Sequence, residues 1–172
     1  MTQEHYAVAI VGAGPTGLML ANFLGLYGVK TLLLERSPSI VDEPRAVSID
    51  DESLRSVQAI GLINQVLPYT VQGYGVHYYS WTGKLFARVE PSSTEYGFPK
   101  RNAFRQQVLV RPLRQGLQRF ATVSTLVEPE LKRFTPDAES LQTEASHHAP
   151  RDTLGWSGPL ACAERTRSVA ST

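Results

Sequence analysis

The chain has 172 residues, 42% of them apolar and 19% charged, enough apolar material for one packed domain and too much for a disordered polymer. Seventeen basic and sixteen acidic residues leave a net charge of +1, so no long-range field favours nucleic acid or an anionic membrane. The single cysteine, Cys162, excludes an internal disulfide and fits a reducing, cytoplasmic setting.

Residues 1–6 carry Glu4 and neither Lys nor Arg, unlike the start of a secretory signal, and no apolar run is long enough to span a bilayer. Residues 7–11, AVAIV, are unbroken small or branched apolar side chains and predict a strand buried on both faces. Gly12-Ala13-Gly14-Pro15-Thr16-Gly17 follows, a GxGxxG. A helix is predicted over 15–27, with Leu18, Ala21, Leu24 and Gly25 facing the sheet. Leu20, Phe23 and Tyr27 lie on the other flank, so wide burial is expected. Gly28 should end it. Residues 29–34 form a second apolar strand that closes on Glu35.

This order of strand, glycine loop, helix, strand and acid is the context in which GxGxxG carries weight. Gly12 permits the turn off the strand, Gly14 lets a pyrophosphate approach the backbone, and Gly17 lets helix and strand pack closely. The first amides of the helix lack internal acceptors and sit at the positive end of its dipole, so they suit an anion. Pro15 costs little at that position. Glu35 can accept both hydroxyls of an adenosine ribose and would repel a 2′-phosphate.

Residues 36–44 hold two prolines and read as a loop. Arg45 leaves that loop with a planar fork suited to phosphate or carboxylate, or to solvent. A helix is expected from about Asp50, with Leu54, Val57 and Ile60 on one face and Ser48 or Asp50 as its cap. Asp50, Asp51 and Glu52 read as first-turn acids, not metal ligands. Residues 73–89 alternate and turn at Thr82-Gly83, predicting a β-hairpin whose aromatics a second layer covers. His77 there lacks a sequence partner that would make it a base. Residues 91–102 form a polar loop; adjacent Lys100 and Arg101 suggest an anion nearby, but the first reading is a solvated loop. A helix is expected over 106–120, its start limited by Pro112, then a strand over 123–127. Beyond about residue 140 no period of 2 or 3.6 persists. His147-His148 point apart in any regular element and do not suggest metal.

Three stretches in this order, GAGPTGLMLANFLGLYGVKTLLLER, PRAVSIDDESLRSVQAIGL and FPKRNAFRQQ, resemble the start of the single-component flavoprotein aromatic hydroxylases, a family of FAD-dependent monooxygenases. The resemblance covers about residues 6–134. It implies an α/β fold, a Rossmann-like FAD-binding βαβ domain with an added β-hairpin, as the incomplete amino-terminal part of a larger two-domain fold. It implies FAD held at Gly12, Gly14, Pro15, Thr16 and Gly17, its ribose at Glu35 and its adenine by Arg36. Arg45 would lie near the pyrophosphate and flavin, and Gln106 near the phosphates. NAD(P)H as co-substrate would reduce FAD, and molecular oxygen would form a flavin hydroperoxide that hydroxylates a phenolic acid.

The family's Asp-Gly, expected after an apolar strand near the end of this sequence, is missing; Gly155-Trp156-Ser157-Gly158 stands roughly where that strand should be. The expected organisation is therefore a FAD-binding domain over 1–139 and an irregular tail over 140–172, which a reading-frame change near 140 would explain. Two alternatives are an NAD-binding dehydrogenase module and a non-catalytic truncated piece.

Overall fold

The structure is a computed structural model that describes residues 5–38, 46–127, 130–136, 141–146, 153–156 and 160–162, the last four segments as strand paths. The chain divides into two compact units, one of residues 1–41 and 113–172, the other of residues 42–112.

The first unit is built on the expected βαβ element. Strand β1 (His5–Tyr6) precedes β2 (Val8–Val11); helix α1 (Pro15–Leu26) and β3 (Thr31–Glu35) follow. Near-continuous apolar side chains suit strands covered on both faces. Ala9, Leu32 and Leu34 gather with Tyr6 in one buried cluster, and Ile10 and Leu33, which alternate with them, are fully buried as well. β3 pairs in parallel with both β2 and β9 (Val123–Val127). Gly28, at φ +70, terminates α1 as expected.

α1 is narrower in its burial than its composition suggested. Gly17, Leu18, Ala21, Asn22 and Gly25 are buried, whereas Leu24 is only half-buried and Leu26 and Tyr27 are 51% and 76% exposed. Asn22 is the surprise on the buried face. Its Nδ2 donates to the Leu18 and Leu113 carbonyls at 2.8 and 2.9 Å, and its Oδ1 accepts from Arg119 at 3.1 Å. A buried amide with all these partners satisfied ties α1 to the segment after residue 113. Gly25 permits the same approach, since a Cβ there would lie 2.5 Å from the Phe120 ring.

The second unit opens with β4 (Ser48–Asp50) and α2 (Asp51–Ala59). Asp50, not Ser48, is the cap: its carboxylate accepts from the Ser53 amide at 2.8 Å. After Gly61, at φ +77, the chain resumes as α3 (Ile63–Val66), a 3₁₀ turn over Leu67–Tyr69 and β5 (Val71–Gln72). The hairpin is β6 (Val76–Tyr79) with β7 (Leu85–Val89), turning at Gly83 with φ +79. The expected covering layer is absent among the described residues: Tyr79, Phe86 and Trp81 are 57%, 68% and 98% exposed. His77 does have a partner, Glu90 at 3.0 Å. That hydrogen bond, with Arg88 nearby, holds the Glu90 carboxyl below its usual range.

The loop expected to run to Asn102 ends earlier, because β8 (Arg101–Ala103) pairs with β4 on one side and β5 on the other. Asn102 is completely buried and donates to the Pro99 and Ile49 carbonyls at 2.7 and 3.3 Å. Helix α4 (Gln106–Gly116) then carries Pro112 inside it instead of starting after it, and a 3₁₀ turn extends it through Leu117–Arg119.

The stretch after 127 also departs from the expected irregularity. β10 (Glu130–Pro136), β11 (Leu141–Ser146) and β12 (Thr153–Trp156) form an antiparallel series with β1 pairing in parallel to β12. β13 (Leu160–Cys162) pairs in parallel with β2. The sheet order β13-β2-β3-β9 thus places a strand on each side of the β2–β3 pair, and β2 is where the strand order reverses. The apolar strand expected around Gly155-Trp156-Ser157-Gly158 is β13 instead; Gly155 and Trp156 belong to β12, in the other sheet. Short strands of mixed composition carry no periodicity to read, and their pairing is non-local. Arg45 and His147-His148 lie outside the described residues.

Candidate dinucleotide site

The site is built at the carboxyl end of β2. Gly12 leaves the strand at φ +102, a conformation that favours glycine, and its amide donates to the Leu34 carbonyl at 2.8 Å. Gly14 caps α1 at φ −69 and ψ 176, and Pro15 opens the helix. Leu18 is the first residue with an intrahelical bond, to the Gly14 carbonyl at 2.9 Å. Thr16 and Gly17 come before it and have no intrahelical acceptor.

Two features of this helix start point to an anion. First, Gly14 needs no glycine for the fold: its backbone is ordinary extended backbone, and a Cβ there would meet nothing within 4 Å. The space beside it is open where a pyrophosphate would come. Second, the start of α1 has no side-chain cap and no acid in its first turn, whereas α2 has the Asp50 cap and two first-turn acids. One helix neutralises its own dipole; the other leaves it to a ligand.

Glu35 completes the site and does more than its position in sequence implied. One carboxylate oxygen accepts the Ala13 amide at 2.6 Å and the other accepts the Ser37 amide at 2.8 Å. The acid therefore pins the glycine loop to the end of β3. A carboxylate offers about four lone-pair positions, so two remain for ribose hydroxyls. Arg36, next in the chain, is exposed.

Gly12, Gly14, Pro15, Thr16, Gly17, Glu35 and Arg36 all belong to the first unit, whereas Gln106 belongs to the second. The Gln106 side-chain oxygen is buried with no hydrogen-bond donor among the described residues. Nothing in the sequence singled out Asn22 or Asn102, because a buried amide cannot be told from a surface one without its partners. Among the described residues no cluster of His, Cys, Asp or Glu could hold a metal, and no helix is long and apolar enough to cross a membrane.

The family model described as FAD binding domain matches residues 5–154. The chain belongs to that family. FAD is thus the dinucleotide this domain is built for, and the dehydrogenase alternative falls. The chain is 43% identical over 148 residues to 3-(3-hydroxy-phenyl)propionate/3-hydroxycinnamic acid hydroxylase 1 of Burkholderia vietnamiensis (strain G4 / LMG 22486), covering 86% of this chain and 24% of that one. It is 46% identical over 136 residues to the hydroxylase of the same substrates from Comamonas testosteroni, covering 79% and 23%. The chain therefore spans about a quarter of the length of these relatives. Among solved structures it is similar to the p-nitrophenol 4-monooxygenase PnpA from Pseudomonas putida DLL-E4, with TM-score 0.86 and 22% identity over 98% of this chain and 43% of that one. It is also similar to the flavin-dependent monooxygenase PieE in complex with FAD and substrate, with TM-score 0.74 and 18% identity over 93% and 30%. The aromatic-hydroxylase resemblance read from the sequence agrees with the family match and the curated relatives, the solved structures share the fold, and the family match continues past residue 140.

Proposed function

We propose that this chain supplies the FAD-binding part of an NAD(P)H-dependent monooxygenase that hydroxylates a phenolic acid with molecular oxygen in the cytoplasm. The observation that carries the reading is the Glu35 carboxylate joined to the Ala13 amide. It sets the ribose acceptor and the pyrophosphate loop in one rigid unit. In this reading Gly12, Gly14 and the Thr16 and Gly17 amides take the pyrophosphate, Pro15 fixes the first helical turn, Glu35 takes the adenosine ribose, and Arg36 flanks the adenine. Arg45 and Gln106 complete the cofactor's contacts. Bound FAD supplies the redox chemistry, and the protein's part is to hold and orient it.

The chain alone binds the cofactor without turning over a phenolic acid, since the relatives named as hydroxylases are about three and a half times as long. The visible spectrum of the chain mixed with FAD and passed over a sizing column tests this. Flavin bands travelling with the protein, with no NADH oxidation, support it. A protein that emerges colourless from FAD yet retains NADH overturns it.

A further inference from the structure

The adjacent cations Lys100 and Arg101 have no part in the dinucleotide site described above. Arg101 lies on β8, the middle strand of its sheet, and so has a neighbour on each side. Its carbonyl accepts the Gly73 amide at 3.0 Å. The next residue, Tyr74, returns the contact: Arg101 Nε donates to the Tyr74 hydroxyl at 3.0 Å, and the guanidinium carbon lies 5.1 Å from the centre of that ring. Backbone and side chain together hold the guanidinium in one place, which reduces the entropy a ligand must overcome.

Arg101 makes no ion pair with a carboxylate among the described residues. Asp50 stands opposite it across the β4–β8 pair, but the Asp50 carboxylate is turned to the start of α2. Hydrogen bonds from Ser48 and Arg101 lower the Tyr74 pKa, and Tyr74 and Tyr78 raise that of Arg101. The arrangement is a fixed, half-buried cation that meets no carboxylate among the described residues, beside a polarised phenol. Tyr78, which acts on Arg101, lies 6.2 Å from the Phe86 ring at a tilt of 44°, and the two are 43% and 68% exposed. A planar anion carrying an aromatic ring matches both parts: the fork takes the carboxylate and the exposed rings take the body.

We propose that Arg101, with the Tyr74 hydroxyl beside it, binds the carboxylate of the aromatic acid. This assignment rests on the aromatic-hydroxylase reading given above and names the residues that would select an acid over a neutral phenol.

The test uses the 172-residue chain and calorimetric titration with 3-(3-hydroxyphenyl)propionate, its uncharged amide, inorganic phosphate and FAD. The acid should bind the unaltered chain, and Arg101→Gln should weaken it about tenfold or more, the scale of a bidentate charge-assisted contact. Arg101→Lys should recover part of that loss, because it keeps the charge without the fork, and Tyr74→Phe should weaken binding severalfold. The amide should bind the unaltered chain no better than it binds Arg101→Gln. FAD affinity should be the same in all three variants, which also shows that they fold. The proposal is overturned if the acid binds Arg101→Gln as well as the unaltered chain, if the amide binds as well as the acid, or if phosphate displaces the acid at equal concentration. It is equally overturned if Arg101→Gln loses FAD, or if FAD binds and the acid does not. Failure of both FAD and the acid to bind the unaltered chain would instead remove the reading on which the proposal rests.

Discussion

Gly14→Val separates what the fold needs from what the ligand needs. A valine at φ −69 and ψ 176 meets no steric barrier, and its Cβ would have nothing within 4 Å. Replacing glycine at a compatible position stabilises by about 0.4–1 kcal/mol through the unfolded chain. Losing glycine's preference for the helix cap costs roughly as much, on the order of 0.5–1 kcal/mol. The two offset, so the melting temperature of the ligand-free protein should move by no more than about 2 °C. Binding should behave differently. The isopropyl group fills the space through which an anion reaches the start of α1, and two charge-assisted hydrogen bonds at about 1.5–3 kcal/mol each are at stake. Affinity for FAD should fall by at least about a hundredfold. Thermal melts without ligand and calorimetry with FAD measure the two effects independently. If the variant melts far below the unaltered protein, glycine serves the fold and the open space means nothing. If it melts alike and binds FAD within about threefold, the pyrophosphate lies elsewhere.

Four further outcomes follow from other parts of the structure. Glu35→Ala should weaken FAD by about 1–3 kcal/mol, the value of charge-assisted bonds to hydroxyls; an equal loss for an analogue without those ribose hydroxyls would remove that role. Asn22→Ala should destabilise by about 1–3 kcal/mol in urea unfolding, because it removes the buried amide's bonds to the Leu113 carbonyl and from Arg119; a change under about 0.5 kcal/mol would show that water replaces the amide. Gly25→Ala should cost about 1–3 kcal/mol from overpacking against Phe120, and Phe120→Leu should relieve it; purely additive losses would contradict the contact. A non-native stretch beginning near residue 140 does not fit the family match, which runs to residue 154, or the parallel pairing of β13 with β2; we keep the proposal only for the residues after β13, where Ala163 and Glu164 stand in place of Asp-Gly. Translating the coding DNA beyond codon 162 in the other frames should yield Asp-Gly directly after that strand, and its absence from both would end that idea.

The elements that could be read from sequence are those whose signal is local. The βαβ unit announces itself through an unbroken apolar run, glycines at fixed spacing and an acid, all within residues 7–36. The α2 cap was narrowed to two residues because capping is a matter of position. What escaped depends on distant partners. Three-residue strands such as β4 and β8 have no period, and Arg101 read as a loop cation until its cross-strand neighbours were known. Nothing local marks Asn22, because two of its partners lie more than ninety residues away. Pro112 misled for a related reason: a proline removes one hydrogen bond and bends a helix, but buried neighbours such as Leu109, Val110 and Leu113 hold the turns on either side. The hairpin's aromatics implied a cover because apolar strands usually have one, and sequence alone does not say whether it is present.

In the proposed reading the first unit binds the adenosine and pyrophosphate of FAD through the glycine loop and Glu35. Titrating the 172-residue chain with FAD and, in parallel, with FMN tests it most directly, because FMN carries the same flavin without the adenosine half. FAD should bind saturably and, at the same concentrations, FMN should not bind. Equal binding of the two, or binding of FMN alone, would contradict it.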